Sequence, residues 1–374
     1  MALQDQNVIL GSLIAIMAAK FCALTLSFGY LSQDDMNFIL SSQLNEDLRK
    51  NLRVDGRYFG LIVSYFLDIL NINLLQSFHL VAVIYAASFA FFWIAFVRYL
   101  RANIGSGVII GAGLITILHP AVLDLDQYKV QFLPYSFMYI FSGLALLSLA
   151  SQAPKQSTSF LVIACTALAF LSYQPSLLLL SLAILLRVVT NAMHGDTKFG
   201  RADLIRSLKH AGLLALGLVV SLVLTAVGVA ITGIQITRLS PLISLAELPA
   251  RLWNYLHAVG AIMSPVSKMY SSMSGSLPFL ILLLLSLFIV VLRRKGIFRI
   301  AGLTALVGIV ILSQNPMTTS ASFYWPTLRS NFHITFAAAG LLLATIDAWP
   351  PKARSWIVAS IIAAALFNSA IFYG

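Results

Sequence analysis

Two adjacent carboxylates, Asp34 and Asp35, follow the first long apolar segment of the chain, within the sequence SQDDMNF. Neighbouring carboxylates repel each other, and both keep their charge only where cations or water lie close by. Beside a bilayer, one could accept a proton from an attacking hydroxyl while the other holds a substrate, a water molecule or a cation. The pair could also be a solvated helix cap in a loop. We favour the catalytic interpretation because the pair follows so closely on an apolar segment.

Basic residues outside the apolar segments could bind a phosphate. Arg57 directly precedes the segment Tyr58 to Leu70, whose apolar residues recur at near-helical spacing and predict an amphipathic helix along a membrane interface. The guanidinium and the free N–H groups at the start of this helix could hold a phosphate together. Arg57 could equally extend along the lipid surface or pair with Asp55. Lys129 and Arg329 are the other phosphate-binding candidates.

Polar residues at further places could contact a substrate. A short polar segment between two apolar stretches contains two carboxylates, two positions apart, that could share a cation such as Mg²⁺ or Mn²⁺ or point in opposite directions. An amide is costly in hydrocarbon unless it is hydrogen-bonded, so Tyr173-Gln174-Pro175 predicts a cavity-facing amide or a helix–helix hydrogen bond. We assign no metal ligand and no cofactor, although a divalent cation could assist. The candidate substrate-contacting residues are His119, Asp124, Asp126, Tyr173, Gln174 and Tyr324.

The elements that position these residues must cross a membrane. Of the 374 residues, 59% are hydrophobic and 10% are charged, with a mean hydropathy of +0.90, whereas about 25% of the residues in a soluble protein are charged. Repeated apolar runs, near the ~20 residues that cross a bilayer as a helix, predict an all-α polytopic membrane protein. The net charge of +11 comes from short basic clusters between these runs. Such clusters are typical of topology signals and lipid contact, not of nucleic-acid binding.

Eleven membrane-spanning helices are predicted, and the stretch from Ser159 to Val189 is either two short helices or one long kinked helix. The predicted spans are Val8 to Phe28, Ser77 to Val97, Ile104 to Leu118, Phe132 to Ala150, Ser159 to Ser172, Pro175 to Val189, Ala211 to Gly233, Ser276 to Val291, Ile300 to Ser313, Phe332 to Ala348 and Ser355 to Tyr373.

The basic residues predict the orientation of the chain. They are dense in the short segments on one side of the predicted spans and sparse along the longer segments on the other side. The positive-inside rule then gives a cytoplasmic N-terminus and puts all the candidate residues on the external side. We expect one membrane-embedded domain, residues 1–374, whose active site is built by the external segments 29–76, 119–131, 234–275 and 314–331. The internal segments contain no GxxxxGK[ST] sequence and no GxGxxG opening a helix, so a nucleotide-driven reaction there is not expected.

The acidic pair, the GRYF sequence that opens a predicted surface helix, the YQPS break and a late external arginine together resemble one known group of enzymes. These are the serotype-converting O-antigen glucosyltransferases of bacteria and phages, the Gtr type of the GT-C class. The resemblance covers most of the chain as an order of short motifs. The chain is short for the group and has no large extra external domain. The resemblance implies a GT-C-like architecture in the bacterial cytoplasmic membrane, with a periplasmic active site.

The resemblance also implies a reaction. A hexose, glucose in the first place, would pass from a polyprenyl phosphate to a surface polysaccharide or lipid-linked glycan. Asp34 and Asp35 match the family's acidic pair, Arg57 matches the arginine of its GR element, and Tyr173 with Gln174 matches its YQ element. We expect inversion at the anomeric carbon, because one base suffices and no second, suitably spaced carboxylate nucleophile is evident. The basic candidates would stabilise the departing phosphate.

Other functions fit the same sequence. Within the class, the enzyme could transfer mannose, galactose or an arabinose, or use a wall-glycan acceptor. From a different class, a polytopic transporter or a flippase for lipid-linked sugars would carry ionisable residues inside its spans and repeat its topology. Lys20 is the only obvious basic residue deep in a predicted span, and the sequence shows no clear internal repeat, so this class is less favoured. A purely structural membrane subunit would leave the acidic pair unexplained.

Overall fold

The computed structural model describes residues 6–26, 49, 52, 57–70, 77–100, 106–118, 122, 126, 131–151, 156–194, 201–233, 246–247, 249–250, 273–293, 296–313, 332–346, 354, 356–357, 359–360 and 363. Within these residues every regular element is a helix, as the sequence predicts. The described helices are α1 (Gln6–Leu26), α2 (Tyr58–Ile69), α3 (Phe78–Leu100), α4 (Ser106–Ile117), α5 (Phe132–Ala150), α6 (Gln156–Ser172), α7 (Ser176–His194), α8 (Arg201–Thr232), α9 (Met273–Arg293), α10 (Gly296–Ser313) and α11 (His333–Thr345).

The described helices follow the predicted spans closely. Each predicted span before the last overlaps one helix, and the span from Phe132 to Ala150 has the bounds of α5. The last predicted span, Ser355 to Tyr373, lies mostly outside the described residues. α4, with 12 residues, and α11, with 13, are shorter than a full crossing needs, so the total of eleven spans stays a prediction. Five segments of the described chain are long and apolar enough to cross a membrane, namely Asn7–Thr25, His79–Leu100, Phe132–Ala150, Ser176–Met193 and Ala202–Thr232.

The start of α8 corrects one predicted boundary. The sequence predicts an apolar span from Ala211, whereas the helix begins at Arg201 with a polar extension. Asp203 in the first turn favours a helix start, and it pairs with Arg206 at 3.3 Å, three residues later. Hydropathy detects the part of a helix that suits hydrocarbon and therefore misses a polar extension of this kind.

The stretch from Ser159 to Val189 forms two helices. α6 ends at Ser172 and α7 begins at Ser176. Pro175 lacks an N–H and its ring clashes with the preceding helical turn, so the chain turns here, and the N–H of Ser176 donates to the carbonyl oxygen of Tyr173 at 3.0 Å. α6 then packs mainly against α5 and α8, whereas α7 packs mainly against α10 and α11. The break therefore separates two helices that pack against different neighbours.

Aromatic rings fill the centre of the bundle. α3 and α5 form the most extensive helix pair, and the rings of Phe92 on α3 and Tyr139 on α5 lie 5.5 Å apart. Phe336 on α11 meets Phe92 edge-on at 5.3 Å. All three side chains are fully buried, and aromatic pairs contribute about 0.5–1.5 kcal/mol beyond the burial of their area. This packing fixes α5 and α11 relative to α3.

One group of helix termini defines what we call the Arg57 end of the bundle, where α2, α5 and α11 begin and α6 and α10 end. Arg57, before α2, is hydrogen-bonded to Gln131, before α5. The ring of Tyr173, after α6, lies 6.1 Å from the ring of Phe332, before α11. Nε2 of His333 lies 2.8 Å from the carbonyl oxygen of Leu312 in α10. The structure thus brings together termini that the sequence assigns to one side.

The opposite termini form what we call the basic end, where α3, α7 and α9 end and α8 and α10 begin. The ring of Tyr99, at the end of α3, contacts both Arg187 of α7 and His210 of α8. A Cβ added to Gly302 of α10 would contact Ala192 of α7 and Val290 of α9. Among the residues whose side chains the structure describes, the basic ones on these parts of the helices are Arg98, Arg187, Arg206, Lys209 and Arg299. The helical packing therefore gathers positive charge at this end.

Gly217 allows α6 and α8 to approach each other closely. A Cβ at this position would lie 2.6 Å from Cβ of Thr166 and 3.0 Å from the carbonyl oxygen of Ile163. Neither atom stands at the far end of a flexible side chain, so the helices themselves would have to move.

We expect Gly217→Ala to lower the free energy of unfolding by about 1–3 kcal/mol, because overpacking forces the two helices apart. Gly212→Ala is the matched control on the same helix, since nothing lies within 4 Å of its added Cβ. The control should leave the stability unchanged or raise it by up to about 1 kcal/mol through helix propensity. Thermal unfolding of both variants in detergent measures the difference. Equal melting temperatures would contradict the described packing of α6 on α8.

Candidate functional site

Four of the predicted site residues lie within the described part of the chain: Arg57, Asp126, Tyr173 and Gln174. The predictions for the others stay predictions, because those residues lie outside it. They are Asp34, Asp35, His119, Asp124, Lys129, Tyr324 and Arg329.

Arg57 stands at the start of α2 as its N-cap residue, which confirms the predicted position and the predicted helix to within one residue at its end. Its Nη1 donates a hydrogen bond to Oε1 of Gln131 at 2.8 Å. Its Cζ lies 5.0 Å from the centroid of the Tyr173 ring, a cation–π geometry that contributes about 0.5–2 kcal/mol. Because the first N–H groups of a helix have no intrahelical acceptor, this terminus is suited to an anion.

Tyr173 is fixed by aromatic neighbours at the break between α6 and α7. Its side chain is 5% exposed. Its ring meets Tyr135 of α5 edge-on at 4.9 Å and lies 6.1 Å from Phe332. Contacts with α5 and with the residue before α11 therefore set the orientation of the ring on which the guanidinium of Arg57 lies. Gln174 is half-buried beside it, and the two predicted roles for this amide both stay open.

The buried face of α2 anchors Arg57 to the bundle. The ring of Tyr58 lies against Gly228 of α8, where an added Cβ would come within 2.7 Å of Cζ of Tyr58. The ring of Phe59 meets Phe137 and Phe141 of α5 edge-on, at 5.1 and 5.2 Å. The opposite face is also apolar, which suits a helix that lies between protein and lipid. Its exposed residues are Ile62, Tyr65, Phe66, Ile69 and Leu70.

A salt bridge lies at the other end of the same helix. Arg49 pairs with Asp68 and also lies over the ring of Tyr65, with its Cζ 5.0 Å from the ring centroid. These contacts join a residue that precedes α2 in the chain to the last turn of α2. The helix is thus held at both of its ends, by Arg57 at the start and by Asp68 near its C-terminus.

A buried ion pair lies inside the bundle, between α1 and the segment before α5. Nζ of Lys20 donates to both carboxylate oxygens of Asp126, at 2.7 and 2.6 Å, and both side chains are fully buried. The hydroxyl of Tyr85 donates to Oδ1 of Asp126 at 3.1 Å. Nζ of Lys20 also lies 5.1 and 5.0 Å from the ring centroids of Tyr85 and Phe89. Burying a lone charge costs several kcal/mol, and here each charge compensates the other.

Sequence analysis did not identify this partner of Asp126. It predicts Asp126 as a substrate contact that could share a cation with Asp124, and that role stays a prediction. The structure places the carboxylate deep inside the protein, bonded to Lys20, whereas the sequence places it in a polar loop. A charge in hydrocarbon requires an opposite charge nearby, and this requirement could have predicted the pairing of Lys20 with Asp126.

Sequence analysis did not predict Gln131 as a contact of Arg57. In the sequence, Gln131 is only the last residue before the apolar run of α5. It directly precedes Phe132, whose ring stacks on Tyr85 with 4.7 Å between centroids and 14° between planes. Gln131, which accepts the hydrogen bond of Arg57, is therefore adjacent to Phe132, and Phe132 stacks on Tyr85, which donates to Asp126.

A second buried cation lies towards the basic end. Arg187 on α7 is 2% exposed, and its Cζ lies 4.7 Å from the ring centroid of Tyr99. The hydroxyl of Tyr99 and Nδ1 of His210 are 3.0 Å apart. This cluster joins the end of α3 to α7 and α8.

Metal ligands are not gathered in the described part of the chain, where no group of three or more His, Cys, Asp or Glu side chains could hold a metal ion. Cys22 and Cys165 are free thiols. Because Asp34, Asp35 and Asp124 lie outside the described residues, an assisting divalent cation stays a prediction.

Comparisons of the chain with protein-family models, with curated protein sequences and with solved structures find no match. A function must therefore be inferred from the residues and contacts described above.

Lys20→Met removes the ammonium and leaves the carboxylate of Asp126 buried without its opposite charge. We expect a loss of about 3–5 kcal/mol in the free energy of unfolding, as is typical when one partner of a buried pair is removed. Thermal unfolding of the purified protein in detergent measures the loss. The control is Lys209→Met, at an exposed position of the basic end, which should change the stability by less than ~0.5 kcal/mol. A loss as small as that of the control would show that the pair does not form.

Proposed function

We propose that this protein is a polytopic membrane glycosyltransferase of the GT-C class. It transfers a hexose, in the first place glucose, from a polyprenyl phosphate to a surface polysaccharide such as O-antigen or to a lipid-linked glycan. The observation that carries the proposal is the contact between the guanidinium of Arg57 and the ring of Tyr173. These residues belong to GRYF and YQPS, two sequences that support the resemblance to serotype-converting O-antigen glucosyltransferases. Direct contact between motifs so distant in the chain supports a common site.

The chemistry of the donor matches the surroundings of Arg57. A guanidinium binds a phosphate through parallel N–H groups, and Gln131 and Tyr173 hold this one in place before any ligand arrives. A preoriented group loses little conformational entropy on binding. The start of α2 adds the positive end of a helix dipole. These features support a binding site for the donor phosphate.

A polyprenyl tail needs an apolar surface beside its phosphate. α2 exposes a continuous apolar face, and only 22% of an apolar 18-residue stretch within α8 is buried. Tyr58 joins these two helices through its contact with Gly228. Apolar surface therefore extends from the neighbourhood of Arg57 along α2 and α8, which supports a lipid-linked donor over a soluble one.

The distribution of charge supports an orientation in the bacterial cytoplasmic membrane. The basic end would face the cytoplasm by the positive-inside rule. The Arg57 end would then face the periplasm, where lipid-linked sugars meet surface glycans. This orientation gives the first helix a cytoplasmic N-terminus.

In the proposed reaction, Asp34 or Asp35 accepts the proton of an acceptor hydroxyl. The acceptor oxygen forms a bond to the anomeric carbon from the face opposite the phosphate, while the bond between that carbon and the phosphate oxygen breaks. Polyprenyl phosphate leaves with the bonding electron pair, and Arg57 and Arg329, with Lys129, stabilise its added negative charge. The single displacement inverts the anomeric configuration.

We expect Asp34→Asn and Asp35→Asn to abolish the transfer, because an amide cannot accept the proton of the acceptor hydroxyl; losing a general base alone costs about 10²–10⁴-fold in rate. The measurement is the transfer of labelled glucose from polyprenyl phosphate in membranes that contain equal amounts of each variant. Asp203→Asn, at the start of α8 and thus towards the basic end, is the matched control and should keep full activity. Normal transfer by both variants of the acidic pair would remove the catalytic assignment.

We expect Arg57→Ala and Arg329→Ala to lower kcat/KM for the donor by roughly 10²-fold, as does the loss of one charged contact to a departing anion. The KM for the acceptor should change much less. Arg98→Ala is the control, because Arg98 is exposed in the last turn of α3 at the basic end. Steady-state kinetics with each substrate varied in turn separate these effects. Equal changes in both substrates' parameters would argue against a phosphate site.

A second candidate is a transporter or flippase for lipid-linked sugars, and the buried pair of Lys20 and Asp126 favours it. Ionisable groups inside membrane helices often mark a substrate or proton path. Proteoliposomes distinguish the two functions, because a flippase moves the lipid-linked sugar across the bilayer without an acceptor. A transferase instead consumes it only when the acceptor is present.

A further inference from the structure

We propose that the ion pair of Lys20 and Asp126 is a positioning device for the guanidinium of Arg57. It holds the segment before α5 so that Gln131 presents its Oε1 to Arg57. This inference rests on the proposed role of Arg57 at the donor phosphate.

A continuous series of contacts connects the pair to the guanidinium. Asp126 accepts a hydrogen bond from Tyr85 at 3.1 Å, and the ring of Tyr85 stacks on Phe132 at 4.7 Å. Phe132 is covalently joined to Gln131, whose Oε1 accepts a hydrogen bond from Arg57 at 2.8 Å. Asp126 also precedes Gln131 by only five positions in the chain. The carboxylate is thus connected to Gln131 through the stacked rings of Tyr85 and Phe132, and it is also close to Gln131 in the sequence.

The pair has the geometry of a fixed tether. Both carboxylate oxygens accept hydrogen bonds from one ammonium, at 2.7 and 2.6 Å. Apolar packing tolerates small sliding movements, whereas a charge pair in a fully buried place allows a single arrangement. Tyr85 has two roles in this cluster, because its hydroxyl contacts the carboxylate and its ring supports the start of α5. Loss of the carboxylate would remove the hydroxyl's acceptor and loosen the support of Phe132.

A buried ion pair adds little to the net free energy of folding, so stability alone does not explain why this pair is present. Replacing both partners of a buried ion pair by apolar residues of similar volume is often neutral or stabilising. A double variant, Lys20→Met with Asp126→Leu, should therefore fold, while the tether is lost. This property separates the positioning role from a contribution to folding.

The test compares the wild-type chain with the Lys20→Met/Asp126→Leu double variant in sugar transfer. We expect the double variant to fold with a somewhat lower melting temperature, because the buried Tyr85 hydroxyl loses its acceptor, and the KM for the polyprenyl-phosphate donor to rise roughly 3- to 10-fold, the contribution of one hydrogen bond. The KM for the acceptor should stay near its wild-type value. Asp126→Glu keeps the carboxylate and should remain within about threefold of the wild-type KM. An unchanged donor KM in a folded double variant would overturn the proposal.

A mutant cycle tests whether the pair acts through Arg57. In the Arg57→Ala background, the double substitution should add no further change in donor KM, because the group it positions is already absent. Additive effects would overturn the positioning role, since the pair would then act on the donor by another route.

A readout that needs no activity separates this inference from the proposed function. Amide hydrogen exchange of the peptide that contains Gln131 and Phe132 should be faster in the double variant than in the wild type. Unchanged exchange would overturn the tether. If the wild type transfers no sugar and binds no polyprenyl phosphate, the proposed function fails while faster exchange still supports the tether. Loss of lipid-linked sugar translocation in the double variant, with no transfer by the wild type, would assign the pair to transport and overturn its positioning role.

Discussion

A charge inside hydrocarbon finds no water, so the protein must supply its partner. In this bundle Lys20 meets that requirement by pairing with Asp126, and the pair in turn binds Tyr85. The requirement is a strong constraint on the fold, because α1, α3 and the segment before α5 must meet at one point. A shift of any of them would leave a buried charge without compensation, at a cost of several kcal/mol.

The aromatic centre of the bundle carries this constraint towards the Arg57 end. Phe132 rests on Tyr85, and Tyr135, one turn further along α5, packs against Tyr173. The guanidinium of Arg57 lies on that last ring. Rings have few rotamers and large contact areas, so each one fixes the next. A rigid interior thereby supports a half-buried cation at the start of α2, where a ligand could reach it.

The sequence predicts the apolar parts of this fold well and its pairings poorly. Hydropathy identifies α5 to the residue, since the segment from Phe132 to Ala150 is apolar throughout. Hydropathy misses the first ten residues of α8, because this polar part of the helix contains no long apolar run. The spacing of apolar residues after Arg57 predicts α2 correctly, since that signal is local. The contacts of Arg57 with Gln131 and of Lys20 with Asp126 depend on how distant segments pack, and no local pattern encodes them.

The packing of the start of α2, next to Arg57, depends on a glycine of another helix. Gly228 of α8 leaves room for the ring of Tyr58, since a methyl group there would meet three ring carbons at 2.7–2.9 Å. Such a methyl would displace the ring of Tyr58, which packs the first turn of α2 against α8 next to Arg57. A change on α8 that alters no charge could therefore disturb the surroundings of Arg57, where we propose that a phosphate binds.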